Sequence, residues 1–228
     1  MITIGIDDTD NAESRGTGAL ARQVAEDLAL DYTVLGVIRQ QLLRDPRVPC
    51  TKNNSSKAIL LDDGEDVDLG ALAARVRAVM LADYQPGSDP GLCVARSVPA
   101  EVVEFGLRAQ RELLTQAEAR ELAAEHGVHL EGLGGDEMGV IGALAAVGLT
   151  ASGDAGRYIQ VGQVRSLAGA QPVESVLAAG VAEVQTPEGQ PIVSGVVRAE
   201  GLRPARRGGR PVAVVQQEGD EWLPLKLD

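Results

Sequence analysis

Apolar positions along the chain follow two periods, and the switch between them marks out the elements. Short apolar runs at 2–6, 33–38, 57–61 and 92–95, each bounded by charged or turn residues, predict strands. Between them the spacing becomes helical. Leu20, Val24 and Leu28, with Ala21 and Ala25 alongside, form one stripe over 18–30, and Leu69, Leu72, Val76, Val79 and Met80 form another over 69–82. Pro99 opens a helix to about 114, Thr115 caps the next to 125, and Gly127 stops it. The small-residue run 139–148 predicts a closely packed helix. From 157 onward the pattern shortens into β pieces at 157–162, 181–184, 192–197, 211–216 and 222–227, the last two a hairpin around Gly219-Asp220. Parallel βα pieces followed by antiparallel β imply a mixed α/β (α+β) protein.

The first strand carries the clearest chemistry. Ile2 to Ile6 run directly into Asp7, Asp8 and Asp10, and glycine-flanked Thr17 then opens a helix. Three acids at the end of a buried strand repel one another unless a hard cation such as Mg²⁺ neutralises them. Free amides at the following helix start suit a phosphate. Side-chain alternation ranks Asp8 and Asp10 above Asp7 as metal ligands, because Asp7 faces away unless the backbone turns. Alone, Asp-Asp-Thr-Asp also fits a turn, with Thr17 a plain cap. The polar run 51–56, with Lys52 and Asn53, either lines a pocket or is a solvent loop. The glycines of 131–148 crowd a helix start where Gly134, Gly135 and Gly139 could cradle phosphate. It is not a Walker A loop, since Val140 and Ile141 stand where Lys and Ser or Thr are needed. Asp89-Pro90-Gly91 has ordinary turn chemistry, and His126 and His129 lack a partner at ligand spacing.

Composition narrows the partners. The chain has 228 residues and a net charge of −12, which argues against binding mainly through a nucleic-acid backbone. One Phe, one Trp and three Tyr are too few for a base-stacking platform. The basic cluster Arg203, Arg206, Arg207 and Arg210 is expected to be a solvated loop, the alternative being a phosphate clamp. Cys50 and Cys93 have no metal or disulfide spacing. No apolar stretch reaches membrane-spanning length, so a cytoplasmic protein is expected.

Taken together, several segments resemble, in order, the N-terminal portion of archaeal tRNA agmatinylcytidine synthetases over nearly the whole chain. They are Gly-Ile-Asp-Asp-Thr-Asp at 5–10, Thr-Gly at 17–18, the Arg-Val-Pro and polar loop at 47–56, Asp-Pro-Gly at 89–91, Val-Ile-Gly-Ala-Leu-Ala-Ala-Val-Gly at 140–148 and Thr-Pro-Glu-Gly-Gln-Pro-Ile-Val-Ser-Gly-Val-Val-Arg at 186–198. Those enzymes use ATP to phosphorylate the carbonyl oxygen of an anticodon cytidine, which agmatine then displaces. The resemblance implies a kinase-like α/β domain over 1–125 and, over 126–228, the glycine-rich loop with a ferredoxin-like β-rich domain. It implies ATP and Mg as cofactors, Asp7, Asp8 and Asp10 at the metal, and Thr17 as the family threonine. Asp8, Thr17 and Lys52 would be catalytic. Gly16, Thr17, Gly18, Asn53, Gly134, Gly135 and Gly139 would hold the nucleotide. The family loop reads Gly-x-Cys-Thr-Thr, so Thr17 aligns only with a one-residue shift. No CxxC pair of the family's zinc ribbon is present, which with the acidic charge disfavours tRNA as a substrate gripped by this chain alone. The expected function is an ATP- and Mg-dependent phosphotransferase or ligase that activates a carbonyl or amide of a smaller acceptor, with Lys52, Arg39 or Arg47 supplying cationic contact. The alternatives are a nucleotide-binding module without turnover and an RNA-modifying subunit with a separate tRNA-binding partner.

Overall fold

The computed structural model describes residues 1–48, 50–51, 53–64 and 67–227. It forms two compact units, Met1–Ser152 and Gly153–Asp228. The first unit runs β1 (Ile2–Asp7), α1 (Thr17–Leu28), β2 (Val34–Gln41), β3 (Ser55–Leu61), α2 (Leu69–Ala82), β4 (Gly91–Ala95), α3 (Ala100–Ala109), α4 (Gln116–Glu125), β5 (His129–Gly132) and α5 (Gly139–Ser152).

Its strands lie in the order β5-β4-β1-β3-β2. Every neighbouring pair is antiparallel, not parallel as the βα alternation suggested. The reason is topological: β3 follows β2 as its hairpin partner and inserts between β2 and β1. The first six elements are therefore a split βαβ, the ferredoxin-like arrangement. That arrangement was expected over 126–228 and instead occupies the amino-terminal part of the chain. The segment 129–152 likewise belongs to the first unit: β5 pairs with β4, and α5 packs on β1, β3 and β4.

Both faces of this sheet are covered, which explains why its strands read as unbroken apolar runs. Ile2, Ile4 and Ile6 are fully buried on one face. On the other face, α5 lies so close to β1 that a Cβ on Gly5 would overlap the Ala143 carbonyl. Gly148 faces the Val102 carbonyl of α3 in the same way. Small residues on α5 thus let helix and strand backbones approach without voids. At the other end of α3, Thr115 and Glu118 close a reciprocal capping box at the start of α4.

The second unit contains β6 (Arg157–Gln160), β7 (Ala170–Pro172), α6 (Val173–Ala178), β8 (Glu183–Gln185), β9 (Val196–Arg198), β10 (Ala205–Arg207), β11 (Arg210–Glu218) and β12 (Glu221–Pro224). These strands lie in the order β6-β10-β11-β12-β9-β7, with β8 parallel to β11. The expected hairpin is present as β11 and β12, in register from Glu218 opposite Glu221. Helix α6 was not expected, because six residues are too few to establish a helical period. The basic cluster is not a solvated loop. Arg206 is 4% exposed on β10 and donates to the Tyr158 hydroxyl and the Gly209 carbonyl, both at 2.7 Å. Arg207 donates to the Asp154 carbonyl and Arg210 pairs with Glu183.

Because the Gly5 contact is with main chain, neither side can rotate away. Gly5→Ala is expected to destabilise the protein by about 3 kcal/mol in urea unfolding. A change below about 0.5 kcal/mol would show that α5 does not sit this close.

Candidate functional site

The end of β1 is shaped by two backbone conformations outside the usual regions. Asp8 has φ 50° and Gly16 has φ 89°. At Asp8 the chain leaves the strand pleat, and at Gly16 it enters α1. The loop between them is fixed internally: the Asn11 side-chain oxygen accepts from the Glu13 and Ser14 amides, both at 3.0 Å. The Thr17 hydroxyl donates to Asp10 Oδ1 at 2.7 Å, and the Thr9 amide donates to the same hydroxyl at 3.4 Å.

This turn opens onto a cavity of about 290 Å³ contained within the first unit. Asp7, Asp8 and Asp10 line one end, with Gly16, Thr17 and Gly18 of the α1 start and Gly139 and Gly142 of the α5 start. Leu42, Leu43, Val48, Leu113, Leu114 and Met138 give the cavity an apolar side. Thr17 and Gly18 are the opening residues of α1, so their amides have no carbonyl to meet within it.

Asp7 is not turned away, as strict alternation suggested. Its carboxylate lies against α5 where a Cβ on Gly142 would overlap it, so Gly142 makes the space that Asp7 occupies. Burial pushes the Asp7 carboxyl up to about 6, opposed by the charge of Lys57 and an amide hydrogen bond from Asp8, with Asp10 adding a smaller upward push. Burial, followed by the charges of Asp7, Asp89 and Asp10, pushes Asp8 up to about 7. These carboxylates therefore carry uncompensated negative charge in a partly desolvated place. An all-oxygen donor set of this kind suits a hard divalent cation. Among the described residues, however, no group of three His, Cys, Asp or Glu side chains is placed to hold a metal ion. Of the three expected ligands Asp7, Asp8 and Asp10, Asp10 accepts the Thr17 hydroxyl through Oδ1. Two carboxylates with water and phosphate oxygens would complete the shell of such an ion, which keeps several waters.

Other expected residues divide. Asn53 lines the cavity. Gly134 and Gly135 lie outside it, packed against Tyr84 and against Ser88 and Asp89. The α5 start does not offer a row of amides either. Gly139 donates to the Asp89 carbonyl at 2.9 Å, Val140 to Glu137 at 3.3 Å and Ile141 to Met138 at 3.2 Å. Lys52 lies outside the described residues. Arg47 lines the cavity, whereas Arg39 does not.

Three site residues had not been singled out. Gly142 was only one of many small residues. Asp89 looked like turn chemistry, yet it acts on Asp8 and its Oδ1 accepts from the Asp136 amide at 2.6 Å. Lys57 was read as the edge of a strand. It is 6% exposed, lines the cavity and donates to the Ser55 carbonyl at 2.6 Å. Its signal was a lysine heading the otherwise apolar run Ala-Ile-Leu-Leu.

Comparison with known proteins relates this chain to an ATP-dependent, ligase-type enzyme. Specifically, it is homologous to part of the tRNA(Ile2) 2-agmatinylcytidine synthetase TiaS of Haloquadratum walsbyi, with 32% identity over 160 residues. That stretch is 67% of this chain rather than nearly all of it, and the chain spans about a third of the relative (34%). It is thus a partial TiaS-like module. Two crystal structures align with 64% of this chain at TM-score 0.57 and 26% identity: a TiaS–tRNA(Ile2)–ATP complex, 36% covered, and a tRNA fluorescent labeling enzyme, 35% covered. A TiaS–tRNA(Ile2)–AMPCPP–agmatine complex aligns at TM-score 0.55 and 25% identity, 35% covered. No family model matches the chain. No helix of the described residues is long and apolar enough to cross a membrane.

The electrostatics have a direct consequence for stability. With its folded pKa raised to about 7 from about 3.9 when unfolded, Asp8 holds a proton more tightly in the native state. Stability is therefore lost as pH rises from about 4 through 7. Asn mimics the protonated form and tolerates the left-handed backbone at this position. In chelator and without nucleotide, Asp8→Asn is expected to melt on the order of 3 °C above the wild type at pH 8, with the gap closing towards pH 4. A gap that does not vary with pH would contradict the raised pKa.

Proposed function

We propose that the first unit binds ATP with Mg²⁺ and uses it to activate a carbonyl or amide oxygen by phosphoryl transfer, as a phosphotransferase or ligase. The observation that carries this reading is the carboxylate cluster beside the α1 start at one end of a cavity, in a chain homologous to TiaS. Asp8 and Asp7 would hold the cation, which when bound neutralises phosphate charge and the charge that develops during transfer. The Thr17 and Gly18 amides would take phosphate oxygens. Asn53 would contact the nucleotide from the polar run. Thr17 and Asp10 form a hydroxyl–carboxylate pair at 2.7 Å, the geometry in which a carboxylate draws on a nucleophile's proton. Phosphoryl transfer of this kind rests mainly on positioning and electrostatics, so the absence of a histidine among the cavity-lining residues is no obstacle.

The acceptor we assign is smaller than tRNA. The net charge is −12, and among the described residues the apolar side of the cavity offers no basic track for a phosphate backbone. A cytoplasmic setting belongs to the same reading. The relative crystallised with tRNA(Ile2) and ATP favours a second reading, a subunit that modifies tRNA beside a separate RNA-binding partner. A nucleotide-binding module without turnover is the third.

Calorimetric titration of ATP in the presence of Mn²⁺ is the direct test. The wild type is expected to bind, with at least tenfold weaker binding for Asp8→Asn and release of ADP or AMP once the acceptor is supplied. Equal binding by wild type and Asp8→Asn would remove the metal-nucleotide site. Co-purifying tRNA, lost steeply as salt rises, would move the assignment to the second reading.

A further inference from the structure

The cavity poses an electrostatic problem. Asp7, Asp8 and Asp10 line it, and Glu112, which also lines it, is paired with Arg108, so a polyphosphate entering the acidic end meets negative charge that one divalent ion offsets only in part. Among the described lining residues the cations are Arg47 and Lys57. Arg47 is held by Asp45 along one edge of its guanidinium, Nε to Oδ1 at 2.8 Å and the adjacent Nη to Oδ2 at 2.7 Å, and its side chain is 70% exposed. That fork is already matched to a carboxylate.

Lys57 is placed differently. It stands on β3 opposite Ile6 of β1 and Arg39 of β2. Its stem shares a face with Ile6 and Ile59, both fully buried. Ser55 and Lys57 are two residues apart and so share a face of the strand. The ammonium turns back along β3, donating to the Ser55 carbonyl at 2.6 Å and to Ser55 Oγ at 3.2 Å. This turn brings the charge to the end of the strand where the cavity lies rather than into the sheet's interior. Its field also reaches Asp7 and opposes the rise caused by burial.

We propose that Lys57 is the cation that contacts the nucleotide's phosphates, with Ser55 as its positioning residue. This rests on the ATP reading above. A compact ammonium on a buried stem suits a phosphate as a point charge and tolerates rearrangement of its oxygens. The role expected of Lys52 thereby passes to a residue five positions on, carried by β3.

Binding of ATP and of adenosine, each with Mn²⁺, would be compared by calorimetry for the wild type, Lys57→Met, Lys57→Arg and Lys52→Gln, with circular dichroism to confirm folding. Lys57→Met keeps the apolar stem and removes the charge. It is expected to weaken ATP at least tenfold and leave adenosine within twofold, while Lys57→Arg recovers part of the loss and Lys52→Gln stays within threefold. In the unmutated protein, the Lys57 Nζ resonance in ¹⁵N-lysine spectra should shift with ATP and not with adenosine, which keeps the test decisive if Lys57→Met fails to fold. Wild-type ATP affinity in Lys57→Met, equal losses for ATP and adenosine, or an Nζ signal indifferent to ATP would overturn the assignment while the ATP reading stands. A wild type that binds no ATP would overturn both.

Discussion

The seam between β1 and α5 is the contact on which the rest of this unit depends. Main chain meets main chain there because Gly5 and the small residues of α5 leave no side chain in the way. The same closeness places the Asp7 carboxylate in the notch left by Gly142. A carboxylate so enclosed resists ionisation, and its neighbour Asp8 resists it further. Packing and chemistry are therefore coupled: the helix that completes the core also creates the charge imbalance that a bound cation would relieve.

That imbalance gives physical content to the relationship with TiaS. The homologous portion is about a third of that enzyme, and here it contains a cavity with an acidic end and apolar walls within a single compact unit. The proposed phosphoryl chemistry would use that acidic end through a bound cation. The unit does not by itself specify the group that is activated.

Much of this was legible in the chain. Ile2 to Ile6 running into three aspartates, followed by a glycine-flanked helix start, located the cavity's acidic end, because strand and helix periods are local signals. What was not legible depended on partners distant in sequence. The antiparallel order of the first sheet follows from β3 inserting beside β1, which no local period reports. The ferredoxin-like topology was consequently assigned to the wrong half. Gly134 and Gly135 look like a phosphate loop in sequence, yet their neighbours are Tyr84, Ser88 and Asp89. Lys57 resembled a strand's polar edge, yet it is buried and lines the cavity. The basic cluster near residue 206 misled in the opposite sense, since β10 turns Arg206 inward to Tyr158.

The walls of the cavity are unequal in how much change they can absorb. The acidic end is built on a strand and a helix whose backbones touch, so any enlargement there displaces main chain. The opposite wall comes from Leu42, Leu43 and Val48 after β2 and from Leu113 and Leu114 after α3, in connecting segments joined to their surroundings by single backbone hydrogen bonds such as Leu43 to the Ala109 carbonyl. Divergence among proteins sharing this architecture would accordingly concentrate on those connections, altering which molecule is admitted while leaving the reacting end untouched.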